Sequence, residues 1–254
     1  MPIDDYQPGS HEHERLSDLM RIVPRGHSSL LDAGARDGRI SVLLAPFFKT
    51  VTALDLEKPD VCTENITAVQ GDVTHLDFPD NSFDVVLCTE VLEHIPPESL
   101  RKACGEIIRA AGHCVAIGVP YDQDLRVAKT TCRSCGRTNS PHGHQGVFDE
   151  DRLKGLCGMM NHAHTSFVGK MKSRTSFLAA FLMNLAGSPW GTYGEDRRCL
   201  HCGGALLGPP HRSFLQKVCS GLAVCLDAAQ SRFASPRPGW MHMVFTKKEP
   251  DRPR

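Results

Sequence analysis

Residues 28–45 read SSLLDAGARDGRISVLLA. A short apolar run closes on Asp32, Gly34 and Gly38 make a tight turn, and RISVLLAPFF continues as a helix. Glycine at such a turn lets the backbone reverse sharply and approach a ligand closely. A strand that feeds a glycine turn into a helix is the nucleotide-binding edge of an open α/β sheet. The spacing excludes two ligand classes. A dinucleotide fingerprint counted from Gly34 needs glycines at 36 and 39, where Arg36 and Arg39 stand. No G-x-x-x-x-G-K-[ST] stretch exists, so a P-loop is also excluded.

Upstream, residues 11–23 space Leu16, Leu19, Met20 and Val23 as an amphipathic helix, stopped by Pro24 and Gly26. Downstream, VTALDLE (51–57), ITAVQGDV (66–73) and FDVVLCTEV (83–91) read as buried strands. Residues 97–111 follow as a helix with Gly112 as its C-cap, and HCVAIGVP (113–120) is a fifth strand. Alternation of this kind specifies a parallel sheet with right-handed crossovers, binding ligands beyond the strands' carboxyl ends. The rest is less regular. Helices are expected at 149–160, entered at Asp149 or Asp151, at 175–187 and at 214–230. A sixth strand is expected at 164–171 and a seventh at 240–248, after the breaker SPRPG, with a frayed EPDRPR tail.

Composition agrees with one large α/β domain or two small ones. The chain has 254 residues, 41% of them hydrophobic and 23% charged, which excludes collagen, coiled coil and wholesale disorder. No apolar run reaches the roughly 18 residues a membrane span needs. The opening MPIDDYQPGSHEHER lacks an apolar segment like a secretory signal's, so a cytoplasmic protein with no membrane partner is expected. The zero net charge is divided unevenly. Residues 1–160 carry 16 Lys and Arg against 24 Asp and Glu, and residues 161–254 carry 13 against 5. A basic second part is either solvated, docked on the acidic first part, or turned to an anionic substrate.

The glycine turn resembles motif I of the class I S-adenosylmethionine-dependent methyltransferases, an apolar strand followed by D-x-G-x-G-x-G. Asp32, Gly34 and Gly38 match it, while Arg36 replaces the middle glycine, its side chain expected to point away. The resemblance continues in order. It implies Asp55 on the ribose hydroxyls, with Glu57 the lesser choice, and Asp72 beside the adenine amine. FDVVLCTEVLEHIP is similar to the family's fourth strand and polar loop, placing Thr89, Glu90, Val91 and His94 at the site rim. The implied cofactor set is thus Asp32, Ala33, Gly34, Gly38, Asp55, Leu56, Asp72, Val73, Thr89 and Glu90. A carboxylate can accept both hydroxyls of a ribose. The cofactor brings an activated methyl group, so the protein supplies position and, for a hydroxyl acceptor, a base. His94 is the base candidate, with Tyr121, His142 and His144 as alternatives.

Eleven cysteines, an odd number with no secretory signal, argue against a disulfide framework. Seven of them (Cys62, Cys88, Cys104, Cys114, Cys157, Cys219 and Cys225) are expected as small buried hydrophobes. The other four form TTCRSCGRT, with Cys132 and Cys135, and RRCLHCGGA, with Cys199 and Cys202. Each C-x-x-C-G lets two sulfurs reach one ion, and two such knuckles make a closed tetrahedral zinc site. Such a site is structural and leaves no position for substrate. The 63-residue spacer between the pairs exceeds the usual one, but ligands need only meet in space. A redox role needs a thioredoxin-like context that the sequence lacks. His142 and His144 are competing ligands in PHGH.

The fold expected is Rossmann-like α/β: a doubly wound, mostly parallel seven-stranded sheet with helices on both faces. A zinc-stapled cap is inserted after strands five and six. Its divisions are an N-terminal helix (1–27), a cofactor-binding core (28–122), a first knuckle insertion (123–148) and a core continuation (149–171). A helical insertion with the second knuckle (172–237) and a final strand with tail (238–254) complete it. The function implied is methyl transfer to a small-molecule or sugar-like acceptor. The rivals are an RNA or protein methyltransferase gripping its substrate with the ribbon and basic part, and a non-catalytic cofactor-binding subunit. The sequence leaves the oligomeric state open.

Overall fold

The apolar runs of the first half pair as neighbouring strands of one sheet, and the computed structural model describes residues 10–248 of the chain. The chain forms α1 (Ser10–Ile22), β1 (Ser29–Ala33), α2 (Arg39–Leu44), β2 (Thr50–Asp55), β3 (Ile66–Gln70) and β4 (Phe83–Thr89). It continues with α3 (Pro97–Ala110), β5 (Ala111–Pro120), β6 (Thr130–Thr131), β7 (Thr138–Asn139), α4 (Glu150–Leu156) and β8 (Asn161–Val168). Last come α5 (Phe177–Leu185), β9 (Gly194–Arg198), β10 (Ala205–Leu206), α6 (Phe214–Ser231) and β11 (Trp240–Thr246). Seven strands form the main sheet in the order β3-β2-β1-β4-β5-β11-β8. The pairs among β1 to β5 are parallel, and β11 runs antiparallel between β5 and β8. This is the Rossmann-like sheet that the alternation specified, and the strand order reverses between β1 and β4.

Period-two alternation divides the core between the sheet's faces. Leu30, Val85, Leu87 and Ala116 pack with Leu19 and Val23 around α1 and with Leu44 of α2. Leu31, Val86, Cys88, Val115 and Ile117 pack on the other face with Ala103 and Ile107 of α3 and Leu153 of α4. Each fully buried Leu or Ile contributes about 1.5–3 kcal/mol. Asp84 fixes the β1–β4 register, its Oδ2 accepting from the backbone N–H groups of Ser28 and Ser29 at 2.7 and 2.9 Å.

Several boundaries differ from the sequence reading. Gly112 is not a helix cap. Helix α3 ends at Ala110, and Ala111 already pairs with Phe83 as β5 begins. A Cβ on Gly112 would lie 3.3 Å from the Phe83 carbonyl oxygen, so the glycine serves close approach of two strands. The sixth strand runs over Asn161–Val168 rather than 164–171. It is an edge strand whose start, NHAH, is polar and exposed, and Gly169 turns the chain at φ +73°. Helix α4 stops at Leu156, short of 160, after a start where the Asp149 carboxylate accepts the Arg152 N–H. Strand β2 stops at Asp55, which leaves Glu57 in the exposed loop beyond it. Three of the seven scattered cysteines are not buried: Cys62 and Cys225 are exposed and Cys219 is half-buried. The frayed tail expected at 249–254 lies outside the described residues.

The chain divides into two compact units. The core unit holds the seven-stranded sheet, and the second unit consists of residues 122–147 and 170–237. In the second unit two short antiparallel ribbons, β6–β7 and β9–β10, each flank a C-x-x-C pair, and α5 packs against α6. Ser176 caps α5, and Ser213 with Gln216 forms a reciprocal capping box on α6.

Candidate active site

The turn after β1 lies at the switch point. Gly34 has φ +90° and Gly38 φ +74°. A Cβ on Gly34 would lie 2.1 Å from Val91 Cγ2, and one on Gly38 would lie 2.0 Å from Val61 Cγ1, so both positions demand glycine. Arg36 adopts φ +52° and its side chain is exposed. This is the left-handed conformation that glycine adopts without strain, and it costs a residue with a side chain about 1 kcal/mol. The Arg36 N–H donates to Asp55 Oδ2 at 2.7 Å, and the Leu56 N–H donates to Asp55 Oδ1 at 2.7 Å. Asp55 thus holds the turn while each oxygen keeps a further lone pair. Leu56 is exposed beside it.

Asp32 and Ala33 are buried at the end of β1. The Ser41 hydroxyl donates to Asp32 Oδ2 at 2.6 Å, tying α2 to the strand. Burial, with the Asp55 charge adding to it, pushes the Asp32 carboxyl up to about 6 against the pull of Ser41. Asp72 is exposed, its Oδ1 accepting the Thr74 N–H at 2.8 Å, while Val73 turns into the core. Thr89 is buried at the end of β4. Glu90, at φ +58°, donates its N–H to the Gly118 carbonyl at 2.9 Å and accepts from Trp240 Nε1 at 3.2 Å.

The fourth-strand loop then turns in an unexpected direction. His94 is exposed, and Glu93 beside it is fully buried with neither carboxylate oxygen partnered. Burial, aided by the Glu90 charge, drives the Glu93 carboxyl up to about 9, so it is protonated at neutral pH. The positive charge of Arg15, on α1, acts on both acids, and its own Nη1 is buried without a partner. On β11, fully buried His242 holds Asp18 of α1 through Nδ1 at 2.7 Å and leaves Nε2 unpartnered. Ser166 and Arg21 also donate to Asp18, at 2.5 Å each. Burial opposes ionisation of Asp18, but these three bonds hold its carboxyl well below the usual range. The alternative bases have contacts of their own. Tyr121 stacks edge-on against Phe167 at 4.9 Å. In the second unit His144 Nδ1 meets Gln123 Oε1 at 2.5 Å, and burial followed by the Arg197 charge lowers the His142 pKa.

A family model described as a methyltransferase domain matches residues 31–116, from β1 into β5. The match covers about a third of the chain. The ubiquinone biosynthesis O-methyltransferase of Albidiferax ferrireducens is 27% identical over 110 residues, 39% of this chain and 44% of that protein. The chain spans less than half the length of the curated relatives it matches first. Among solved structures, the N-methyltransferase NodS from Bradyrhizobium japonicum aligns over 97% of this chain and all of its own, with TM-score 0.53 and 16% identity. The [4+2]-cyclase SpnF aligns over 92% of this chain and 80% of its own, with TM-score 0.52 and 19% identity. These two show a shared fold, and a shared fold does not fix the chemistry.

The methyltransferase family match contains Glu90 and Glu93 but not Arg15, Asp18, Trp240 or His242. Sequence reasoning missed those four because their elements are remote in the chain. The sign available was a polar His242 inside the apolar run WMHMVF.

None of the four knuckle cysteines falls within the matched domain. Their thiols converge: Cys132 and Cys202 Sγ are 3.7 Å apart, as are Cys135 and Cys199 Sγ, and all four lie within 4.8 Å of one another. A tetrahedron with bonds of about 2.3 Å has edges of about 3.8 Å. The two knuckles repeat one geometry. Gly136 (φ +70°) and Gly203 (φ +69°) each follow the second cysteine and donate N–H to the first cysteine's carbonyl at 2.9 Å. The thiol set therefore fits a single zinc ion without histidine.

Proposed function

We propose that the chain is an S-adenosylmethionine-dependent methyltransferase acting on the hydroxyl of a small-molecule acceptor. The observation that carries this reading is the glycine turn at the β1–β4 switch point, with Asp55 at its edge and a buried cluster of unpartnered polar atoms beyond β4. Asp55 would accept the ribose hydroxyls through its remaining lone pairs, and Asp72 and Val73 would border the adenine. Gly34, Gly38 and the end of β1 shape the methionine side, with Asp32 fixing α2 behind the turn. When bound, the cofactor supplies the electrophilic methyl group. Protonated Glu93, Glu90, Arg15 and His242 offer donors and acceptors for a hydroxyl-bearing acceptor. Asp18 orients His242 so that Nε2 can take the acceptor's proton, and His94 at the rim is the competing base. We further propose that Cys132, Cys135, Cys199 and Cys202 bind one structural zinc ion that holds the second unit together.

Calorimetric titration of zinc-replete protein with S-adenosylhomocysteine tests the cofactor, with NADH as control. Micromolar one-to-one binding of the first and none of the second is expected; the reverse would sink the reading. Comparing kcat–pH profiles of His242→Gln and His94→Ala then assigns the base. Loss of the ascending limb belongs to the base, and a profile unchanged in both variants rejects both.

A further inference from the structure

Helices α5 and α6 are built inside out. They pack on each other, yet the side chains they bury are small: Ala179 and Ala180 in α5, Ser220 and Ala223 in α6. Their large apolar side chains face solvent in stripes of period four, Phe177, Phe181 and Leu185 on α5 and Phe214, Val218 and Leu222 on α6. Phe177 is 80% exposed and Phe214 83%. So many large apolar side chains left in solvent on one packed helix pair mark an interaction site.

Charge identifies the occupant. The second unit carries 13 Lys and Arg against 5 Asp and Glu. Lys170 and Lys172 before α5, Lys217 on α6 and Arg232 after it are exposed, and no carboxylate pairs with them among the described residues. Exposed phenylalanines on a helix pair that carries and is flanked in sequence by such cations match a bilayer interface, with acyl chains beneath anionic phosphates. Neither helix spans: at 9 and 18 residues they reach about 14 and 27 Å against an apolar core of about 30 Å. No described helix is long and apolar enough to cross a membrane. We infer that the α5–α6 pair lies in the headgroup region of an anionic phospholipid membrane. The sequence expectation of no membrane partner rested on the lack of a spanning run, which an interfacial helix does not need.

Vesicle co-sedimentation of the full, zinc-replete chain tests this. The chain should pellet with vesicles of equal parts phosphatidylglycerol and phosphatidylcholine, and be released by high salt. The triple variant Phe177→Ser, Phe181→Ser, Phe214→Ser should lose about tenfold or more of that binding. Its S-adenosylhomocysteine affinity should be unchanged, which reports the core unit separately and keeps this inference distinct from the methyltransferase reading. A chain that stays in the supernatant overturns the proposal. So does equal pelleting with neutral vesicles, or a stable dimer by light scattering that the triple variant dissociates.

Discussion

The two units of this chain are stabilised by different means. The core unit buries its large apolar side chains on both faces of a seven-stranded ladder and keeps its unpartnered polar atoms at one edge. The second unit has ribbons of two strands and a helix pair that buries alanines, and its most organised feature is four converging thiols. Their charges are opposite as well, with 13 Lys and Arg against 5 Asp and Glu in the second unit and 16 against 24 in the remainder. The contrast teaches that a sheet covered on both faces carries its own stability, whereas a unit with little core is where a cross-link would count most.

Metal removal should break the comparison most strongly. Structural zinc is worth on the order of 10 kcal/mol to small domains. Chelation, or Cys199→Ser with Cys202→Ser, should abolish hydrogen-exchange protection in 122–147 and 170–237. S-adenosylhomocysteine binding by the core should persist. A metal-free protein with full protection would end the zinc assignment.

Next in size is Asp55→Ala, which removes a charged acceptor at the proposed ribose position and the partner of two backbone N–H groups. An affinity loss of more than about tenfold is expected by calorimetry; unchanged affinity would exclude the ribose role. Glu93→Gln probes the buried acid. The folded carboxyl sits at about 9 against 4.5 for a free one, so the folded state binds the extra proton between those values. Wild-type stability should therefore fall as pH rises through that window, by on the order of 1 kcal/mol per pH unit. The glutamine variant should lack that slope in denaturant titrations, and parallel slopes would mean Glu93 is solvated. The smallest effect is at Arg36. Arg36→Gly should raise the melting midpoint, with a gain of about 0.5–1 kcal/mol from relief at φ +52°. A loss would show that the arginine side chain contributes something the turn does not.

What the sequence made legible follows from locality. The β1 turn, the order of the first five strands and the C-x-x-C-G knuckles are short-range patterns, and each could be read from residues a few positions apart. Gly112 was misjudged because a glycine near a helix end serves equally as a cap or as room for a neighbouring strand, and only Phe83 decides. The β8 start was hidden because an edge strand need not alternate. At 93–94 the loop's direction is set by tertiary packing, so the acid turns inward and the histidine outward against the usual burial preference. The cluster of Arg15, Glu90, Glu93 and His242 joins α1, the loop after β4 and β11, three regions far apart in sequence and beyond the reach of any local pattern. The outward faces of α5 and α6 were hidden for the same reason: an apolar helix looks the same in sequence whether buried or exposed.

The place of β11 has a consequence for biosynthesis. It lies between β5 and β8, although it is made after both. On the ribosome, β8 therefore emerges with neither edge satisfied and waits for more than 70 residues of chain before its neighbour exists. At about 5–20 residues per second that interval lasts several seconds. Cys199 and Cys202 leave the ribosome inside it, so all four thiols are available to metal before the sheet can close. The rate of chain elongation between β8 and β11, and not zinc supply, would then set how long an open strand edge is exposed to aggregation.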